Sequence, residues 1–302
     1  PYNGQVDLQK KTLRHVSLAF SEDPVRILRL ARFAASFNRL GFAVSEDTNK
    51  LMHAMVSAGE VDALVPERVW RETEKALGES APQVFFTVLK NCGALRVLFP
   101  ELYYLYGIPN PPKHHPEVDT GIHTMMVLEQ SARLSSNPRV RFAALLHDLG
   151  KANTPKDLLP RHHGHEQRSV KLVNKLCERF KIPKNYQKLA VKVAEFHGVC
   201  HRAFELRADT IARLLKQLDA FRNPDDFYDF LLACTADSRG RTGFEDCEYK
   251  QADYLSACFQ AARNIKSTPY IEAGYEGQDL AKAMYQAQIE AIEVIKVNFT
   301  NN

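Results

Sequence analysis

The dipeptide His147-Asp148 closes an apolar run, VRFAALLHDLG over 140–150, and further side chains able to hold a metal stand on both sides of it. They are His123 in DTGIHT, His162, His163 and His165 in RHHGHE, His197 in VAEFH and Asp237 in TADSRGR. Imidazole nitrogen with carboxylate oxygen suits manganese, nickel, iron, zinc or magnesium, and the absence of cysteine from the set argues against a structural zinc. An ion held in this way lowers the pKa of water and polarises phosphoryl oxygens, so the chemistry on offer is hydrolysis of a phosphoester. A lone His-Asp pair carries little weight; the ordered set carries more. Lys151, Arg161, Arg239 and Arg241 lie near its members, placed to clamp a substrate phosphate. His114, His115 and His201 read as loop or surface residues.

A second group lies far upstream, in SEDPVRILRLARFAASF, where Asp23 precedes Arg26, Arg29 and Arg32. On a helix, steps of three keep these arginines within an arc of about 120° while Ile27, Leu30, Ala31 and Ala34 face a core. Spacing alone leaves an ordinary solvated face, with Asp23 as an N-cap, an equal reading. Base chemistry favours recognition. Cytosine and adenine each present an amino donor beside an acceptor nitrogen, which one carboxylate and one guanidinium can match while rejecting guanine and uracil.

The elements that must position these groups are helical. Nearly every apolar pattern has the 3.6-residue period and no series of alternating strands is present, so an all-α fold is expected. After an irregular lead-in over 1–20, with turn chemistry at Asn3-Gly4, helices are expected at about 23–38, 45–58, 66–78, 82–91 and 94–99. The proline-rich stretch from Gly107 to Pro116 marks a boundary. Beyond it the expected helices are at about 119–134, 138–149, 165–180, 184–198, 208–218, 224–237, 247–264 and 277–297. Gly150 is expected to stop the helix that carries the His-Asp pair. The 302 residues suffice for two helical lobes, and the formal charge of +4 permits a polyanionic partner. The scattered six cysteines suit a reducing, cytoplasmic setting, and no apolar run approaches the roughly 20 residues of a membrane span.

The order His123, His147-Asp148, His165, His197, Asp237 resembles that of the HD-domain metal-dependent phosphohydrolases. The resemblance implies that His123, His147, Asp148 and Asp237 ligate metal, with His147 and Asp148 catalytic. His165 and His197 would hold a second metal or contact phosphate, as would Lys151; His162 and His163 remain alternatives. PYNGQVDL, LRHV, EDPVRILRLARF and PERVWRETEKAL, taken with that constellation, resemble the bacterial tRNA nucleotidyltransferases over essentially the whole chain. These are the CCA-adding enzymes of the bacterial and eukaryotic class, and the gamma-proteobacterial type with an HD domain is the nearest match.

That resemblance implies a lead-in over 1–22, a nucleotide-templating neck over 23–106, an HD body over 107–246 and a helical tail over 247–302. Asp23, Arg26, Arg29 and Arg32 would bind the incoming nucleotide, and Glu72 and Glu74 in the PERVW motif would stabilise the neck. A complete protein would add C, C and A to tRNA 3′ ends from CTP and ATP with magnesium, as a monomer or homodimer without a membrane. Its HD domain would carry phosphatase, 2′-nucleotidase and 2′,3′-cyclic phosphodiesterase activity, with nickel, manganese or magnesium. The family's Gly-Gly motif and its paired aspartates have no counterpart here, so a piece of a longer protein is expected, unable to polymerise alone. Two competing readings are a free-standing HD nucleotide hydrolase and a non-catalytic tRNA-binding scaffold.

Overall fold

The computed structural model describes residues 2–113 and 115–300, so His114 lies outside the described residues. Helix α1 (Gly4–Gln9) precedes a two-residue strand β1 (Thr12–Leu13) and helix α2 (Val25–Phe37). Strand β2 (Ala43–Val44) pairs in parallel with β1, and α3 (Glu46–Ser57), α4 (Pro66–Gly78), α5 (Pro82–Asn91), α6 (Ala94–Leu98) and α7 (Pro100–Tyr103) follow. The second half contains α8 (Thr120–Leu134), α9 (Pro138–Leu146), α10 (His165–Arg179), α11 (Lys184–His201), α12 (Ala208–Gln217) and α13 (Pro224–Arg239). It ends with α14 (Lys250–Arg263), α15 (Thr268–Glu272) and α16 (Gly277–Thr300).

The fold is all-α as the periodicity dictates, and local chemistry sets many of the helix starts. Proline occupies the first helical position of α4, α5, α9 and α13, where its missing N–H costs nothing. The side chains of Ser45, Asp119 and Asn137 accept backbone N–H groups at the starts of α3, α8 and α9. Asp23 Oδ1 does the same for the Val25 amide at 3.0 Å. One departure is the lead-in, which is not irregular throughout. Asn3 adopts a left-handed conformation, φ 60°, and launches α1.

Helix α9 is buried from Val140 to Leu146, so it is wrapped on all sides rather than on one face. Around it pack α8, α11 and α13, while α4 reaches it from the first lobe. Trp70 of α4 meets Phe142 and Tyr186 edge-on, at ring-centroid distances of 5.4 and 5.0 Å. Arg141 is also buried, and its guanidinium donates to the carbonyls of Leu77 and Glu79 at the end of α4 and to Ser135 and Ala132 at the end of α8. Those carbonyls end their helices without intrahelical donors, and one cation from α9 satisfies them. The apolar core therefore runs without interruption across the proline-rich stretch.

Candidate metal centre

Helix α9 ends at Leu146, and His147 retains helical angles before Asp148 opens a 3₁₀ turn, Leu149–Asn153. Gly150 is not a left-handed cap, since it is absent from the positive-φ residues of the described chain. Its role is close approach: a Cβ there would lie 2.1 Å from the His165 carbonyl oxygen and 2.5 Å from the Ser169 nitrogen. The Gly150 amide donates instead to Ser169 Oγ at 2.8 Å, which seats the His-Asp turn directly on α10. Gly240 plays a similar part at the end of α13, where a Cβ would strike the Val127 backbone of α8.

These approaches bring the scattered side chains together. His123 Nε2 lies 3.1 Å from Asp237 Oδ1 and 4.0 Å from Asp148 Oδ2. His147 Nε2 lies 3.1 Å from Asp148 Oδ2 and 3.5 Å from Asp237 Oδ1. On the other side of Asp148, Oδ1 is 3.2 Å from His165 Nε2 and 3.6 Å from His197 Nε2. Lys151 Nζ reaches Asp148 Oδ2 at 2.7 Å and Asn110 Oδ1 at 3.0 Å. In two trios, His123–His147–Asp237 and His147–Asp148–His197, one ligand atom from each residue lies within 4.8 Å of the others.

The histidines are oriented by a common device. Nδ1 of His123, His147, His165 and His197 lies 2.7–3.0 Å from the carbonyl of Gly240, Ala144, His162 or Val193, respectively. A carbonyl only accepts, so Nδ1 carries a proton and each Nε2 turns inward, where loss of its own proton would leave it able to bind a metal. His147 Nε2 and Asp148 Oδ1 are buried and make no aligned hydrogen bond, although other polar atoms stand close. Buried polar atoms without partners are costly, and a divalent cation bound by nitrogen and oxygen satisfies both.

The electrostatics point the same way. Burial opposes ionisation of Asp148, but His147 and Lys151 hold its pKa well below the usual carboxylate range; burial is likewise overcome at Asp237 by His147 and His201. Burial also disfavours a proton on His147, yet the charges of Asp148 and Asp237 raise its pKa to about 10. Two buried anions thus demand positive charge. Burial and then Lys151 push His162 down to about 4, and its ring spans Thr154 Oγ1 and the Pro109 carbonyl as a structural link. His163 is exposed, so among the RHHGHE histidines it is His165 that faces the dyad.

Two expectations need correction. His201 is not a free loop or surface residue: it ends α11, and its Nε2 donates to Asp237 Oδ2 at 2.7 Å while Tyr249 Oη lies 2.7 Å from its Nδ1. His115 is half-buried and shares the Glu117 carboxylate with His123, each Nδ1 3.0 Å from Oε1. His201 follows His197 by four residues, which places both on one face of α11, a signal available in the sequence. Glu117 and Tyr249 lie outside helices and had no such signal. The site opens into a cavity of about 790 Å³ whose lining includes Arg161, Arg202 and Arg241. Arg239 points elsewhere, donating to the Cys247 carbonyl.

The residues expected to read nucleotides lie elsewhere, Asp23 just before α2 and the three arginines on it. Asp23 Oδ2 accepts from Arg68 at 2.8 Å, and Arg26 donates to the Ala19 carbonyl. Arg29 is exposed. Arg32 is drawn inward, 2.9 Å from Glu72 and 3.4 Å from Glu79. The arginines therefore do not form one equivalent stripe: Arg32 fastens α2 to α4.

Comparison with known proteins places this geometry. Residues 120–223 match the HD domain family, and residues 41–105 match the family described as a probable RNA and SrmB-binding site of polymerase A. The multifunctional CCA protein of Thioalkalivibrio sulfidiphilus is 58% identical over 299 residues, covering 99% of this chain and 73% of that protein. The chain belongs to the multifunctional CCA protein family. The family's Nitrosococcus oceani and Methylococcus capsulatus members are 55% and 53% identical, and the chain spans 71% and 70% of their lengths. A CCA-adding enzyme solved with CTP has the same fold, with a TM-score of 0.59 at 18% identity, covering 96% of this chain and 61% of that one. The Thermotoga maritima CCA-adding enzyme solved with tRNA also gives a TM-score of 0.59, at 17% identity, covering 99% and 67%. The chain therefore joins an HD-domain match to the fold of CCA-adding enzymes.

Proposed function

We propose that this chain supplies the neck, HD hydrolase body and tail of a CCA-adding tRNA nucleotidyltransferase, with its own chemistry centred on His147 and Asp148. The units in this reading are a lead-in over 1–22, a neck over 23–106, a body over 107–246 and a tail over 247–302. Transfer of C and A from CTP and ATP to a tRNA 3′ end belongs to a head bearing paired magnesium-binding aspartates, which this sequence does not contain. Asp23, Arg26 and Arg29 contact the incoming nucleotide, with Arg32 bracing them through Glu72. Six unpaired thiols, five of them buried, fit a cytoplasmic protein.

The body hydrolyses phosphoesters, among them 2′-phosphates and 2′,3′-cyclic phosphates at RNA ends. The observation that carries this reading is the buried pair His147 Nε2 and Asp148 Oδ1, which make no aligned hydrogen bond, beside Asp237. His123, His147, Asp148 and Asp237 would hold a nickel, manganese or magnesium ion, which supplies Lewis acidity toward the phosphoryl group. His165, His197 and Lys151 border that position on the cavity side, suited to a second ion or the substrate phosphate. Arg161, Arg202 and Arg241 at the cavity wall offset the charge of the rest of the substrate.

His147→Ala and Asp148→Ala separate this reading from an RNA-binding scaffold. With nickel or manganese and 2′,3′-cyclic AMP, ring opening is expected to fall to background in both variants. Metal should raise the melting temperature of the unaltered protein and leave the variants unmoved. Full activity in either variant would sink the proposal.

A further inference from the structure

The loop between α7 and α8 sends one acid into the protein. Glu117 belongs to HHPEVD, six residues ahead of His123, and its side chain is only 2% exposed. The turn that delivers it is strained: Val118, a β-branched residue, holds φ at 58°, and its carbonyl accepts from the Asn110 amide at 2.6 Å. Strain of this kind persists only where the surroundings enforce it.

Inside, the carboxylate joins three segments. Glu117 Oε1 stands 3.0 Å from Nδ1 of His115 in its own loop and 3.0 Å from Nδ1 of His123 on α8. The rings of these two histidines meet edge-on, with centroids 4.7 Å apart. Oε2 accepts the Thr242 amide at 3.4 Å, two residues past Gly240, whose carbonyl approaches the same His123 Nδ1 at 2.9 Å. A buried carboxylate is costly unless its partners compensate it. One of those partners faces the metal centre: His123 Nε2 lies 3.1 Å from Asp237 and 4.0 Å from Asp148. A carboxylate behind an imidazole fixes the ring and makes its far nitrogen more basic toward a metal.

We infer that Glu117 is a positioning residue of the metal centre, whose charge behind His123 strengthens Nε2 as a ligand and holds the ring toward Asp237 and Asp148. The inference rests on the metal-binding reading of His123. His115, on the cavity wall, secures the same carboxylate from the open side.

Glu117→Gln tests this, since it keeps the shape and removes the charge. Nickel affinity, measured by competition with a chromophoric chelator, is expected to fall about tenfold or more. Glu117→Asp, which keeps the charge, should recover part of that loss. A merely structural role would lower metal-free stability and leave the nickel affinity of the folded protein alone, so equal affinity in Glu117→Gln and the unaltered protein overturns the inference. Turnover of 2′,3′-cyclic AMP by Glu117→Gln should return as nickel is raised, because the ligands remain; a loss that saturating nickel does not restore also overturns a positioning role. An unaltered protein that binds no nickel removes the metal reading itself, which distinguishes the two failures. Should Glu117→Gln melt early, NMR of the unaltered protein decides, with isotope-labelled histidine nitrogens and cadmium in the site. Coupling to cadmium at His123 Nε2 with the Nδ1 proton retained is expected; coupling at Nδ1, or none at His123, overturns the inference.

Discussion

Asp237 serves two masters at the scale of single atoms. Its Oδ1 faces His123 and His147, while its Oδ2 accepts from His201, whose other nitrogen meets Tyr249. Residues of this outer kind orient ligands, and their loss typically weakens metal binding about ten- to a hundredfold. Tyr249→Phe and His201→Gln are therefore expected to lower nickel affinity by about tenfold or more, measured by competition with a chromophoric chelator. Affinity unchanged in both would mean that the pair only packs the tail. The cluster of His123, His147, Asp148, His165, His197 and Asp237 was legible in the sequence because each belongs to a helical pattern with a recognisable end. His201 lies three residues beyond the helix end expected at 198, whereas α11 runs on to it and sets its ring against Asp237.

Among the elements, α4 is the joint of the first lobe. Glu72 ties it to α2 through Arg32, and Glu74 ties it to α11 by accepting from Tyr186 Oη at 2.9 Å. Burial alone would raise the Glu72 pKa, but Arg32 and Lys75 outweigh it and hold the pKa below its ordinary value of 4.5. A depressed carboxylate contributes stability that is present above its unfolded value and lost as pH falls through the folded one. Glu72→Gln should thus lower the melting temperature near neutral pH. The gap to the unaltered protein should narrow as pH drops through about 4.5 and below, followed by scanning calorimetry. A constant gap would show that Glu72 acts by packing rather than charge. The longer helices came readily from apolar spacing, since a 3.6-residue period survives any tertiary arrangement, whereas the short α1, α7 and α15 did not, being too brief to show a period. The β1–β2 contact did not, because two residues per strand are too few to set an alternation. Nor did the purpose of Gly150, which is fixed by a helix that begins fifteen residues later.

Across the whole molecule, Arg141 joins what the sequence reads as separate lobes. Removing its guanidinium strands the final carbonyls of α4 and α8, so Arg141→Met is expected to cost about 3 kcal/mol or more. That corresponds to a fall of about 5 °C or more in melting temperature. The loss should appear in one transition, because the core is shared; two separated transitions on calorimetry would mean that the lobes unfold independently. The same helix sets a fixed gauge. Arg141 grips the neck and His147 faces the metal centre six residues further along, about 9 Å down one buried axis. With both ends anchored in packed surroundings, α9 works as a spacer bar rather than a hinge. On the function proposed above, an RNA terminus bound first at α2 and then at the cavity beside His147 would have to make the journey itself, across a scaffold that does not fold toward it.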